Sequence, residues 1–349
     1  MTVVHGGNVW QGQGPDAWLD FSANLNPEGP PAWVREAMAR GLGRANVYPD
    51  LTGAAARRGV AAHLGVPEEC VLVTAGGIEA AALAASLPGN HVIAQPTFQE
   101  YGRLCGEYQG VLREKLHEHR FSKGEILWIC NPNNPTGVIY SEEKIKELAA
   151  ALEKRQAELG TSIYIISDEP YRELAYDGAE VPYITKYYKN TIVCYSWSKS
   201  LSLPGERIGY VVIPSEADDS ALIVSAAVIA NRILGFVNAP ALQQRMVAAC
   251  LDEKTDVGAY DRNRQTLYNG LKSAGFEPVH PSGAFYMWVK APDGDDKAFS
   301  QRAKKYNILF VPGSSFACPG YVRIAYCVSH DMIVRSLPAF KKLGEEYGL

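Results

Sequence analysis

The chain has 349 residues, 47% hydrophobic and 21% charged, an ordinary globular balance with length for one large domain and a smaller one. Its 34 basic and 38 acidic side chains give a net charge of −4, which leaves no basic excess for nucleic acid and no polybasic run for a membrane surface. Met1–Trp10 lacks the charged and apolar regions of a secretory signal, and the longest apolar run, Ala221–Ala230, falls far short of the roughly 20 residues of a membrane span.

The first thirty residues are rich in Gly, Pro and Asn and read as an arm. Cys70–Val73 reads as a strand and is followed by an Ala-rich helix, Ile78–Leu87. His91–Ala94 leads into Pro96, and Ile126–Cys130 leads into a Pro/Asn/Gly loop. A helix is expected over Ser141–Leu159, with Ile145, Leu148, Ala149 and Leu152 on one face and Ser141 as its cap. Ile163–Ile166, Ile192–Tyr195 and Gly209–Ile213 are further apolar strands. Continuous apolar strands separated by helices predict an α/β fold, a mostly parallel sheet covered on both faces. From Asn238 the pattern changes to a long helical stretch reaching Ala274. Short strands at Phe285–Val289, Ile308–Val311 and Val322–Tyr326 follow, then a closing helix from Met332. The expected division is an arm and part of the small domain over 1–35, a large domain over 36–240 and a smaller α+β domain over 241–349. The seven cysteines are scattered without a Cys-x-x-Cys pair, which reads as reduced thiols in a cytoplasmic protein.

In open α/β sheets ligands bind beyond the carboxyl ends of the strands, and polar chemistry collects there in this sequence. Gly76-Gly77-Ile78 follows the first strand and opens a helix, where bare N–H groups and the positive helix end suit a phosphate. Ser196, Ser198 and Arg207 supply hydroxyls and a guanidinium fork for the same anion. Asp168 leaves a buried strand, where a lone carboxylate is costly and a cationic ring nitrogen would offset the cost. Lys199, flanked by hydroxyls, suits Schiff-base chemistry and proton transfer at Cα. Each piece also has a bland reading. Asp168 suits an N-cap, Gly76-Gly77 a turn, Phe98 and Tyr101 the core, and Arg207 and Arg323 surface ion pairs. His117-x-His119 lies in a charged stretch without further ligands at metal spacing and reads as a solvated face, so no metal is expected.

Asn131–Gly137, Asp168-x-x-Tyr171, Ser196-x-Ser198-Lys199 and Gly205–Gly209, then Gly283–Tyr286, Val311–Phe316 and Tyr321–Ile324, together resemble fold-type I pyridoxal-phosphate enzymes of the aminotransferase class I/II superfamily. The resemblance runs over nearly the whole chain in the family's order. It implies that Lys199 carries the cofactor as a Schiff base and Asp168 pairs with the pyridine nitrogen. Tyr171 and Asn134 would bond the ring oxygen, and Phe98 would stack on the ring. Gly76, Gly77, Ile78, Ser196, Ser198 and Arg207 would form the phosphate cup, with Ile78 lacking the hydroxyl often found there. Tyr48 would reach the neighbouring subunit's cofactor in a homodimer, and Arg323 would bind the substrate carboxylate. The segments His5–Asn8 and Leu19–Pro31 resemble threonine-phosphate decarboxylases and histidinol-phosphate aminotransferases, which adds His5 and Asn26 as candidate substrate ligands. The residues from Ser198 to Gly209 and from Asn231 to Pro240 resemble general amino acid aminotransferases, so the chain is mosaic.

The resemblance implies amino-group transfer between an amino acid and a 2-oxo acid. A decarboxylase of a phosphorylated amino acid is the first alternative, because the sequence does not fix which Cα bond stands upright on the ring. A non-catalytic regulator is the second, opposed by the retained Lys199, Asp168 and Arg207 and by the absence of a basic stripe.

Overall fold

The computed structural model describes residues 17–234 and 237–349, so His5 lies outside the described residues. The chain begins with a short strand, β1 (Leu19–Asp20), and two helices, α1 (Ala32–Leu42) and α2 (Ala54–Leu64). Strands and helices then alternate: β2 (Val71–Thr74), α3 (Gly77–Ala85), β3 (Asn90–Gln95), α4 (Glu100–Cys105), β4 (Tyr108–Leu112), β5 (Glu125–Cys130), α5 (Glu142–Leu159), β6 (Tyr164–Asp168) and β7 (Thr191–Ser196). A single helical turn, α6 (Trp197–Ser200), precedes β8 (Gly209–Val212) and α7 (Ser220–Ile233).

Strands β2 to β8 form one seven-stranded sheet in the order β2-β8-β7-β6-β5-β3-β4. The pairs from β7 through β4 are parallel, and β8 runs antiparallel between β7 and β2. This is the mostly parallel sheet expected from the apolar runs. Every residue of β5, β7 and β8 is buried, as a sheet covered on both faces requires. Ser141 caps α5 by accepting from the Lys144 N–H, and Ile145, Ala149 and Leu152 face the core.

The remaining chain forms α8 (Ala241–Ala248), α9 (Val257–Ser273), β9 (Pro278–Val279), β10 (Tyr286–Lys290), α10 (Asp296–Ala303), β11 (Ile308–Leu309), β12 (Val311–Pro312), β13 (Tyr321–Ala325) and α11 (His330–Glu345). Two expectations need correction. The helical stretch from Asn238 to Ala274 breaks at the polar turn before Asp256, whose carboxylate caps α9. The strand expected over Ile308–Val311 is two strands serving two sheets: β11 pairs with β1, and β12 pairs with β13. The apolar run Ala221–Ala230 lies inside α7, with much of its surface exposed. No helix among the described residues is long and apolar enough to cross a membrane.

Candidate active site

The loops beyond β2, β3, β5, β6 and β7 meet around one cavity of about 180 Å³. Gly77 and Ile78 enter it from the start of α3, Phe98 from beyond β3 and Asn134 from beyond β5. Asp168 and Tyr171 enter from β6, and Ser196, Ser198, Lys199 and Arg207 from β7 and the loop after it. Strands that share one direction deliver all these groups to one edge of the sheet.

The amine and the acid share this cavity. Lys199 Nζ donates to the backbone carbonyl of Asn24 at 3.1 Å. Burial pulls its pKa down to about 8; the Cys327 thiol opposes this, and Arg323 and Arg207 add to it. Burial pushes the Asp168 carboxyl up to about 7, while the Tyr101 hydroxyl, which donates to Asp168 Oδ2, pulls it back. A buried amine and a buried acid whose pKa values approach neutrality from opposite sides mark a site for proton chemistry.

One end of the cavity is shaped for an anion. Gly76 has φ +91°, and a Cβ there would stand 3.0 Å from Arg207 Nη2. A Cβ on Gly77 would stand 3.1 Å from the Ser196 Cβ, so the chain passes close to Ser196 here. The Ser196 and Ser198 hydroxyls lie 2.8 Å apart, beside the opening turn of α3. Arg207 donates to the Pro204 carbonyl at 3.0 Å and forms no ion pair among the described residues.

Tyr171, which lines the cavity, shares a hydroxyl contact of 2.7 Å with Tyr286. Arg323 is buried, donating to Asn134 Oδ1 at 2.9 Å and to the Ser22 carbonyl at 3.2 Å, with its Nε unpartnered. Its guanidinium lies over the rings of Tyr286 and Phe316. A buried cation without a carboxylate partner is costly, and a carboxylate ligand would offset that cost.

Some sequence candidates lie elsewhere. Tyr48 is 94% exposed, outside the cavity. Asn26 donates to Ser202 Oγ at 2.9 Å and to the Gly29 carbonyl, away from the cavity wall; Asn24 lines it instead. His119 stands 3.1 Å from Glu125 while His117 is exposed, and no group of three potential metal ligands occurs among the described residues. Three contributors escaped the sequence reading as site residues: Asn24, Tyr101 and Tyr286. The signal for Tyr101 was Asp168 itself, since a carboxylate at the end of a buried strand needs a donor nearby.

Residues 16–339 match the family model for aminotransferase class I and II. A probable aspartate/prephenate aminotransferase of Aquifex aeolicus is 31% identical over 245 residues, 67% of this chain and 60% of that protein. The aspartate/prephenate aminotransferase of Thermus thermophilus is 28% identical over 345 residues, covering 90% of this chain and 87% of that one. The first curated relatives are thus matched over 55–60% of their own length. The crystal structure of an amino transferase from Eubacterium rectale superposes with a TM-score of 0.90 at 38% identity, covering 96% of this chain and 92% of that one. With the family match running from Pro15's neighbour Asp16 to Ala339, through the sheet, the cavity and the C-terminal strands, the chain belongs to the aminotransferase class I and II family.

Proposed function

We propose that the protein is a pyridoxal-phosphate-dependent aminotransferase that moves an amino group between an amino acid and a 2-oxo acid. The observation that carries this reading is the pair Lys199 and Asp168 facing one cavity of about 180 Å³. The residues present fit the cofactor. Gly76 and Gly77 leave a cradle that a Cβ would fill, and Arg207, unpaired with any carboxylate among the described residues, gives that cradle positive charge.

When bound, pyridoxal phosphate supplies an aldehyde carbon for covalent linkage to amines and a ring that accepts the electron pair released at Cα. The chain does the rest. Lys199, with its pKa drawn to about 8, holds a neutral fraction of its amine at physiological pH and can take the Cα proton on Nζ and return it. Asp168 offers a carboxylate to a cationic ring nitrogen, which would hold it ionised despite burial. Gly77, Ser196, Ser198 and Arg207 would hold the phosphate, and Phe98 and Ile78 line the same cavity. Arg323 binds the substrate carboxylate and orients the amino acid, with Asn134 relaying its position to the cavity.

We infer a homodimer in the cytoplasm. Tyr48, Leu42, Leu51, Ile229 and Ile233 are each exposed, apolar surface that a second subunit would cover. The cysteines are all free, which suits a reducing compartment. The test is purified protein loaded with pyridoxal phosphate and given amino acids with 2-oxoglutarate. A new amino acid, abolished in Lys199→Ala, supports the reading. Release of CO₂ from threonine phosphate without amino-group transfer would replace it with decarboxylation.

A further inference from the structure

A second cavity, about 530 Å³ and larger than the first, lies between α5 and the segment after β4. Leu116, Val138, Ile139, Leu148 and Ala151 make much of its wall apolar. Arg113 stands at its base. Its guanidinium stacks 3.6 Å over the Tyr140 ring, and Nη1 donates to the Val138 carbonyl at 3.2 Å. Among the described residues no carboxylate pairs with Arg113, so most of its donors have no protein partner. The Tyr140 hydroxyl beside it is buried and also unpartnered. The other basic side chains in the lining already face carboxylates: Lys144 stands 2.6 Å from Glu147 and His117 3.5 Å from Glu118.

We propose that this cavity binds a small apolar monocarboxylic acid, its carboxylate on Arg113 and its hydrocarbon body against the aliphatic wall. The fork of Arg113 matches a carboxylate in two parallel hydrogen bonds, and its face is already held flat by Tyr140. The volume falls within the range of small-molecule sites. Glu114 in the lining adds negative charge, which disfavours a phosphate dianion more than a monoanion. The two cavities share no lining residue.

The probe is para-trifluoromethyl phenylacetate, observed by fluorine NMR on the full-length protein loaded with pyridoxal phosphate. Binding is read directly, so the outcome is independent of whether the protein transaminates. The expected result is saturable binding that persists in Arg323→Gln, weakens about tenfold or more in Arg113→Gln, and weakens equally for the uncharged amide of the probe. Ala151→Trp, at an exposed position of α5, fills the cavity without removing a buried group and is expected to abolish binding. Absence of binding to the unaltered protein overturns the proposal. So does unchanged affinity in Arg113→Gln and Ala151→Trp, or loss of binding in Arg323→Gln alone.

Discussion

The Tyr101 hydroxyl donates to Asp168 Oδ2, and the Tyr101 ring lies stacked on Trp128 with centroids 5.2 Å apart. Trp128 in turn donates its Nε1–H to His91 Nδ1 at 2.9 Å. Side chains from α4, β5 and β3 thus fix one carboxylate. Tyr101→Phe removes the donor and keeps the stack. The Asp168 pKa rises further, because the lost hydrogen bond favoured its charged form. Pyridoxal phosphate affinity is expected to fall about tenfold, the loss growing as pH falls through the Asp168 titration. Equilibrium dialysis at several pH values measures this; a pH-independent loss would contradict it.

Asp168 also costs the cofactor-free protein stability. Its ordinary pKa is 3.8 and the folded value is about 7, so between these values the folded chain holds a proton that the unfolded chain has released. Stability contributed by this group therefore falls as pH rises from about 4 to about 7 and is flat above that. The full excursion is at most about 4 kcal/mol. Asp168→Asn removes the titration. Urea melts of the cofactor-free proteins are expected to show the variant gaining on the parent at pH 8 and matching it near pH 4, while its catalytic activity is lost.

Gly76→Ala forces a side chain into the left-handed region and against Arg207. The expected cost is about 1–2 kcal/mol of stability, with at least about tenfold weaker binding of pyridoxal phosphate as Arg207 is displaced. Thermal melts with and without the cofactor separate the two effects. The stabilisation gained on adding cofactor is expected to shrink.

Arg264 is almost wholly buried yet bonds Asp177 through two 2.7 Å contacts and Asp261 through one of 2.8 Å. It ties α9 to the turn that follows β6. Arg264→Met leaves two carboxylates without their cation and is expected to cost about 3 kcal/mol. Asp177→Ala, which leaves Asp261 in place, is expected to cost about 1 kcal/mol. Denaturant midpoints give the comparison, and equal losses would show that Asp177 alone carries the tie.

The sheet was legible because its strands are short, apolar and each followed by turn residues. β2, β5, β6 and β7 begin and end within two residues of the expected positions. The groups that meet in the cavity follow from those strand ends. Less was legible where a partner far away in sequence decides the structure. Phe310 separates β11 from β12, but only their pairing with β1 and β13 makes the division. The break between α8 and α9 depends on a cap at Asp256 that a helical pattern conceals. Tyr101 reads as a core aromatic, and it is one; its hydroxyl becomes a site group only because β6 delivers Asp168 beside it. Asn24 acts through its backbone carbonyl, which no side-chain pattern reports.

That carbonyl belongs to a segment fastened to the far end of the chain. β1 lies along β11, and Phe21 accepts from the Ala325 N–H three residues before Asn24. Lys199, however, hangs from the large sheet. The reactive nitrogen is therefore moored to two separate frames at once. A small slide of one frame against the other would make or break this N–H···O tether, so the placement of the C-terminal strands bears on how firmly the amine is held.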